Sequence, residues 1–400
     1  MTGTTIAQAI PVAISPILTR IYTPEDFGLL ALFVAITAIF GSIANGRYEL
    51  AIMLPKKDED AINVVALGFI ITLTMTLALL AIVVMFNEYI VNLLNNKSVS
   101  VWLYFVPLSV FFMGLFNLLN YFNNRKKYYK DIAKASIIKS IIMAVIQLSV
   151  GLLKPGVTGL ISGQLISQMS ANIQLLKNII KDRLLLSKVT KEKVFFMAKR
   201  YREFPKFSMA AVLANTLTIH LTNILISTFY SVSTLGFYSL VQRVLGMPTA
   251  LIGSSIGQVF FEEATKEKQL TGKAVNIFNS TVKKLLIIGA PSFGVLFFLV
   301  EDLFAFVFGE EWRIAGRYAK IMTPVFFIGF IVSTVSIVDT IFEKQFFYLC
   351  LQIGYLVAIM LGVYIFQNNP FDQLIIVLTV ITCIHYLVHF IGLTLFVKGK

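Results

Sequence analysis

The chain has 400 residues, of which 57% are hydrophobic and 14% charged, with a mean hydropathy of +0.80 and a formal net charge of +13. A water-soluble protein of this composition would expose more apolar surface than one core can bury, which excludes an ordinary soluble globular protein. Long uninterrupted apolar runs also exclude a transmembrane β-barrel, whose strands alternate apolar and polar residues. The composition therefore indicates an integral membrane protein built from α-helices.

Apolar segments of about 20 residues, the length that crosses a bilayer as a helix, recur along the chain. We predict about twelve spans, over residues 3–18, 27–44, 61–86, 101–122, 136–153, 157–176, 207–229, 236–261, 285–300, 318–338, 346–366 and 374–396. The first begins almost at Met1, with no basic leader and no small-residue cleavage site. We therefore expect a membrane helix there and not a removed signal peptide.

Basic residues concentrate in alternate connections between the predicted spans, and these connections hold most of the 34 Lys and Arg residues. Because basic connections stay on the cytoplasmic side, the alternation predicts an even number of spans with both termini cytoplasmic. The positive charge is then explained by membrane orientation and by attraction to anionic headgroups. We accordingly expect membrane lipids as partners and no nucleic acid.

The middle of the chain carries its densest run of basic charge. We predict an N-terminal six-helix bundle over residues 1–176, a cytoplasmic basic linker over 177–206 and a C-terminal six-helix bundle over 207–400.

A short internal repeat supports this division. At a constant offset of 208 residues, the two copies are Ile17-Leu18, Tyr22-Thr23, Phe27-Gly28 and Leu32, and Leu225-Ile226, Tyr230-Ser231, Leu235-Gly236 and Leu240. Six spans separate the copies, so both have one orientation, which predicts a parallel repeat about an axis along the membrane normal. Duplicated six-helix halves are typical of alternating-access transporters.

Arg243 is a candidate substrate-binding residue because it lies seven residues inside the eighth predicted span. At about 1.5 Å per residue this is roughly 10 Å from the helix end, where a charge is costly unless it faces protein or water. Gly246, Pro248, Gly253 and Gly257 follow, and they predict a kinked or broken helix, since proline removes a helical hydrogen bond. The alternative is that the span starts later and Arg243 extends to the outer interface.

Arg47 and Glu49 stand two residues apart at the inner end of the second predicted span. A cation and a carboxylate so spaced favour an anion-binding or gating pair, although an orientation signal would also explain the arginine. Arg20 is a third candidate for substrate binding. Its neighbours Glu25 and Asp26 make an outer ion pair the alternative.

Glu49, His220 and Asp339 are candidates for binding a coupling ion. His220 lies near the middle of the seventh span among Asn and Thr residues, and His385 and His389 share one face of the last span at i, i+4 spacing. Histidine can relay protons within a membrane. It also serves as a hydrogen-bond partner between helices, and both alternatives stay open.

No Gly-rich loop ending in Gly-Lys-Ser or Gly-Lys-Thr occurs, so we expect neither ATP hydrolysis by such a loop nor a cofactor. Cys350 and Cys383 lie in apolar stretches, which predicts packing roles and neither a disulfide nor a metal site. No long external loop is available for a glycosyl-transfer site. We therefore expect no catalytic residues and no enzymatic activity.

Several segments resemble bacterial polysaccharide flippases of the O-antigen type, which belong to the multidrug, oligosaccharidyl-lipid and polysaccharide exporter superfamily. The segments are residues 3–11 (GTTIAQAIP), 15–28 (SPILTRIYTPEDFG), 46–55 (GRYELAIMLP), 201–207 (YREFPKF) and 235–240 (LGFYSL). The resemblance extends over essentially the whole chain. Relatives usually have a short cytoplasmic lead before the first helix, so we expect this first helix to be incompletely anchored.

The resemblance implies a translocase that moves undecaprenyl-diphosphate-linked oligosaccharide from the cytoplasmic to the periplasmic leaflet of the bacterial inner membrane by alternating access. It further implies a role in O-antigen or other surface polysaccharide biosynthesis, alongside other polysaccharide-assembly proteins. Arginine suits the diphosphate because its charge is permanent and its donors form a fork, which favours Arg243, Arg47 and Arg20. Two alternatives are an ion-coupled drug or small-solute antiporter of the same fold and a membrane glycosyltransferase or polymerase.

Overall fold

The protein is described by a computed structural model over residues 2–399, and the side chains at 2–6, 248, 250 and 254 lie outside that description. All regular elements in these residues are helical, which confirms the all-α membrane fold. The α-helices are α1 (Thr2–Ala13), α2 (Ser15–Ile21), α3 (Pro24–Gly41), α4 (Tyr48–Ala51), α5 (Asp58–Leu93), α6 (Ser100–Leu103), α7 (Val106–Arg125), α8 (Tyr129–Leu153), α9 (Thr158–Lys181), α10 (Arg183–Leu186), α11 (Lys191–Arg200), α12 (Met209–Phe229), α13 (Val232–Thr271), α14 (Val275–Phe308), α15 (Arg313–Val335), α16 (Val338–Ile341), α17 (Gln345–Phe366) and α18 (Phe371–Phe396).

Ten helices of the described chain are long and apolar enough to cross a membrane. Two of the twelve expected spans fall short of that standard. The first is divided into α1 and α2, with Pro11 inside α1 and Pro16 in the first turn of α2. The sixth corresponds to α9, which is long enough but carries Gln164, Gln168 and Asn172. Both departures have local causes, because proline interrupts a helix and amides lower its hydropathy.

The chain forms two compact units, Met1–Gly236 and Phe237–Lys400. In the first unit α8 packs on α9 and α1, while α7 packs on α5, α9 and α3. Helix α12 belongs to this unit because it packs along α3. The boundary at Gly236 therefore lies after the first helix of the expected C-terminal bundle, and the division into bundles at 1–176 and 207–400 stays a prediction.

The basic segment expected as a linker over residues 177–206 is largely helical. It contains the end of α9 together with α10 and α11, and Met197 of α11 is buried in a core with residues of α5 and α7. The hydroxyl of Tyr48 donates to the carbonyl oxygen of Ala198 at 3.0 Å, which ties α4 to α11. The segment is therefore part of the first unit's packing.

The repeated sequence begins two helices with equivalent caps. The hydroxyl of Thr23 accepts a hydrogen bond from the Asp26 amide at 3.3 Å at the start of α3. At the start of α13, the hydroxyl of Ser231 accepts one from the Thr234 amide at 3.0 Å. Each cap satisfies a free amide of the first helical turn at equivalent positions of the repeat.

The two glycines of the repeat allow these helices a close approach within the first unit. A Cβ atom at Gly28 would overlap the carbonyl oxygen of Val232, and one at Gly236 would overlap the carbonyl oxygen of Pro24. Adding the repeat offset of 208 residues to Gly28 gives Gly236, and adding it to Pro24 gives Val232. The two contacts are therefore equivalent, and the helix crossing is symmetric. Only glycine leaves the required space, because its backbone carries no Cβ.

In the second unit α15 packs against α14 and α18, and α17 packs against α18. Helix α13 runs from Val232 to Thr271 without a break in the described backbone, and the alternative prediction of a kink near Arg243 stays a prediction. The side chain of Pro248, on which that prediction partly rested, lies outside the described residues.

Candidate functional site

The loop after α3 presents Arg47 and Glu49 as an ion pair in which the glutamate is buried and the arginine is partly exposed. Gly46 and Arg47 both have left-handed backbone conformations, with φ of 58° and 64°. Such a conformation is uncommon for arginine and orients its side chain at the start of α4. One terminal nitrogen of Arg47, Nη1, donates to Glu49 Oε1 at 2.9 Å, while Nε donates to the Ser208 hydroxyl at 3.3 Å. The two residues singled out from the sequence are therefore paired with each other, and their role in anion binding or gating stays a prediction.

Glu49 is only 2% exposed, and its second carboxylate oxygen, Oε2, has no hydrogen-bond partner in the described structure. Burial raises the pKa of this carboxyl, while the neighbouring charge of Arg47 acts in the opposite direction. A buried carboxyl with one unpaired oxygen favours binding of a proton or cation, because an unsatisfied buried charge is costly.

Arg20 and His220 also belong to the first unit. Arg20 lies in the last turn of α2 with an exposed side chain. His220 lies in the middle of α12 and is half-buried, and its Nδ1 atom has no hydrogen-bond partner among the described residues. Neither residue contributes to the contacts of the Arg47–Glu49 pair given above.

The second unit contains another buried pair, formed by Asp339 of α16 and His389 of α18. Their Oδ2 and Nε2 atoms lie 2.7 Å apart, and the two residues are 6% and 3% exposed. The other carboxylate oxygen, Oδ1, has no partner in the described structure. His389 is thus an interhelical hydrogen-bond partner, one of the two roles left open for it.

Two tyrosine rings of α17 lie against the two histidines of α18. Tyr348 of α17 lies against His389 with ring centroids 5.4 Å apart. One turn before His389, His385 stacks on Tyr355 at 4.3 Å, and its Nδ1 atom has no hydrogen-bond partner among the described atoms. The two histidines expected on one face of the last span therefore both contact rings of α17.

Asp339 also lies on the wall of a cavity of about 750 Å³. Residues from α13, α15, α16 and α17, with Ser336 after α15, form the wall, and most carry hydroxyl or amide groups. The polar ones are Thr249, Gln258, Ser333, Thr334, Ser336, Asp339, Thr340, Gln345 and Tyr348. A cavity bordered by hydroxyl and amide side chains within an apolar helical unit is a candidate binding site, since polar groups at membrane depth are costly unless they have partners.

Arg243 is half-buried in the same helix that supplies part of this wall. It lies between Tyr238, which is buried, and Thr249, which reaches the cavity. A half-buried guanidinium within a span needs polar surroundings. Arg243 is thus in the same compact unit as the cavity and the Asp339 pair.

Sequence reasoning missed the cavity and the position of Lys139. The hydroxyl-rich stretch from Ser333 to Thr340, in an otherwise apolar region, was the available signal for the cavity. Lys139 lies in α8, inside the fifth predicted span, and its ammonium is 5.6 Å from the ring centre of Phe116.

The ten apolar helices of the described chain define a multi-pass helical membrane protein. The structure resembles lipid II flippase MurJ in an inward closed conformation, with a TM-score of 0.75 and 13% identity, covering 99% of this chain and 90% of that one. It also resembles a multidrug resistance MATE family transporter of the MOP superfamily, with a TM-score of 0.70 and 13% identity, covering 99% and 95%. At such low identity these likenesses show the fold.

The chain belongs to the family described as polysaccharide biosynthesis protein, which it matches over residues 17–316. A curated relative, the succinoglycan biosynthesis transport protein ExoT of Rhizobium meliloti (strain 1021), is 24% identical over 312 residues. The match covers 75% of this chain and 59% of that protein, so the chain spans about three fifths of the relative's length. The resemblance to polysaccharide flippases is confirmed at the level of the family.

Proposed function

We propose that this protein flips undecaprenyl-diphosphate-linked oligosaccharide from the cytoplasmic to the periplasmic leaflet of the bacterial inner membrane. Membership in the polysaccharide biosynthesis protein family is the observation that carries the proposal. The fold shared with a lipid II flippase supports it, because that fold accommodates the flipping of a lipid. The product would be a repeat unit available for surface polysaccharide assembly, and both termini would be cytoplasmic.

Arg47 is the proposed anion-binding residue of the first unit. Two of its nitrogens, Nη1 and Nε, are held by Glu49 and Ser208, which fixes the guanidinium while its third nitrogen has no protein partner in the described contacts. Its side chain is 22% exposed and so remains accessible. Arg243 and Arg20 are the further proposed contacts, since a diphosphate offers several oxygens to forked donors.

Ion coupling is proposed at the buried carboxylates Glu49 and Asp339, with His220 as a third candidate. Each of the two carboxylates has one oxygen bound to a basic partner and one without a partner in the described structure. Binding of a proton or cation would satisfy the free oxygen. Binding and release of this proton or cation would then change the charge at the carboxylate during a transport cycle.

An ion-coupled antiporter of the same fold is the second candidate function. The likeness to the MATE transporter and the buried carboxylate of Asp339 favour it. Such a protein would export lipophilic cations, and its loss would raise drug sensitivity.

The deciding experiment compares a strain lacking this protein with its parent, after other flippase genes have been removed. We expect lipid-linked repeat units to accumulate in the deletion strain and to be inaccessible to a lectin or glycosidase supplied outside spheroplasts. Surface polymer should be lost, and drug sensitivity should change little.

Two outcomes contradict the proposal. Repeat units that accumulate on the outer face would indicate a polymerase, because a polymerase defect leaves translocation intact. Unchanged pools of lipid-linked sugar together with multidrug sensitivity would indicate the antiporter.

A further inference from the structure

We infer that the cavity of the second unit binds the sugar portion of the lipid-linked substrate, as a subsite separate from the arginines that bind the diphosphate. This inference rests on the proposed function and adds the location and chemistry of sugar recognition. Its support is the charge, hydrogen-bonding capacity and size of the cavity.

The wall of the cavity carries little net charge. Asp339 is the single carboxylate among its described lining residues, which include no Lys or Arg. One oxygen of this carboxylate is already bound to His389. A diphosphate needs cationic partners, which these lining residues do not supply. The free oxygen of Asp339 would also attract a cation, so the low charge argues against the diphosphate alone. The hydrogen-bonding groups of the wall are what favour an uncharged polar ligand.

Several side chains of the wall have hydrogen-bonding capacity that the described contacts do not use. The hydroxyls of Thr249, Thr334 and Ser336 donate to nearby main-chain carbonyl oxygens, so their own oxygens remain available as acceptors. The side-chain amides of Gln258 and Gln345 make no hydrogen bond in the described contacts and are exposed to the cavity. Amides and hydroxyls that both donate and accept match sugar hydroxyls, which do the same.

The shape of the wall also suits a sugar chain. Gly253 and Gly257 let α13 approach Thr334 of α15 closely, so no side chain of these two positions fills the space. Phe261 and Tyr348 add aromatic rings, whose faces can pack on the apolar faces of sugar rings. The volume of about 750 Å³ lies within the range of about 300–1,000 Å³ for small-molecule sites.

The position of Asp339 links this subsite to the proposed coupling pair. A sugar hydroxyl donating to Asp339 would compete with, or replace, the proton or cation needed by the free oxygen. Sugar binding and ion binding would thereby act on one side chain.

The test measures binding of two lipids to the purified full chain in nanodiscs by native mass spectrometry. One is undecaprenyl diphosphate without sugar, and the other is the same lipid bearing the host's repeat unit, extracted from a flippase-deficient strain. We expect the double variant Gln258→Ala and Gln345→Ala to lose about tenfold in preference for the sugar-bearing lipid, the effect of one or two net hydrogen bonds. Affinity for the sugarless lipid should stay unchanged.

Gln367→Ala is the matched control, because this glutamine belongs to the same unit but does not line the cavity. It should leave both affinities unchanged. An equal loss of affinity for both lipids, or an unchanged preference, would overturn the sugar subsite while leaving the proposed function intact. Failure of the unaltered protein to bind either lipid would overturn both, and binding of ethidium instead would favour the antiporter.

A photocrosslinking measurement tests the inference independently of the glutamine variants, in case these misfold. Phe261→p-benzoylphenylalanine places the probe on the wall, and Ile353→p-benzoylphenylalanine places it on an exposed position of α17. We expect sugar-bearing adducts at position 261 and phospholipid adducts alone at position 353. Phospholipid adducts alone at both positions would contradict the inference.

Discussion

The carboxylate of Glu49 is buried, paired on one side with Arg47 and unpaired on the other. Its raised pKa has a consequence for stability. A carboxyl with a higher pKa in the folded than in the unfolded state binds its proton more tightly when folded. Its contribution to stability is therefore complete below the unfolded value, near 4.5, and is lost as the pH rises through the folded value.

Glu49→Gln should remove this pH dependence. The amide keeps an acceptor for Arg47 but does not titrate. Between the unfolded-state pKa of the carboxyl and neutral pH, the thermal midpoint of the purified variant should therefore vary less than that of the unaltered protein. Glu203→Gln is the control, since the Glu203 side chain is 58% exposed. Parallel pH profiles for Glu49→Gln and the unaltered protein would show that Glu49 does not titrate in this way.

Arg243→Ala should reduce surface polysaccharide by roughly tenfold or more at normal protein abundance, the effect of about 1.4 kcal/mol of lost binding or more. Arg243→Lys should restore only part of it, because the charge survives and the fork does not. Immunoblots for protein and polymer on the same cells measure both. Arg202→Ala, at a side chain 72% exposed, should change neither. Normal polymer in the Arg243→Ala strain would assign this arginine to interfacial anchoring.

At the scale of helices, the crossing of α3 and α13 depends on two glycines at equivalent repeat positions. Gly28→Ala and Gly236→Ala should each destabilise the protein by about 1–3 kcal/mol, the usual cost of overpacking, because the neighbouring carbonyl oxygens cannot move independently of their helices. Thermal unfolding in detergent measures the effect.

Gly294→Ala is the control for this pair, since nothing lies within 4 Å of the added Cβ. It should be neutral or stabilising by about 0.5–1 kcal/mol, because alanine favours a helix interior over glycine. If all three variants behave alike, the close crossing does not exist in the membrane.

At the scale of the whole molecule, the distribution of basic residues predicts the orientation of the chain. In a background with Cys350→Ser and Cys383→Ser, we expect Asn368→Cys to react with an impermeant maleimide in spheroplasts. Lys188→Cys should react only after permeabilisation. Both positions are exposed, so accessibility reports on the side of the membrane. Labelling of position 188 alone in sealed spheroplasts would reverse the orientation.

Some contacts were predictable because their signals are local. Arg47 and Glu49 are two residues apart in the sequence, and their side chains contact each other, while the gating or anion-binding role expected of them stays a prediction. The break in the first span also has a local cause in Pro11 and Pro16, although we expected one helix there. By contrast, no break is found after Arg243 in the described backbone of α13, and the kink that the glycines and proline also predict stays a prediction.

The sequence by itself determined that this protein is a helical membrane protein and located most of its spans, because hydropathy and helix length are properties of consecutive residues. It also determined the family, through motifs spread over both halves of the chain. Tertiary structure alone decided that Asp339 meets His389, 50 residues away, and that hydroxyls and amides from four helices surround one cavity. Such sites depend on which helices pack together, and side-chain packing between distant segments leaves no periodic signal in a single sequence.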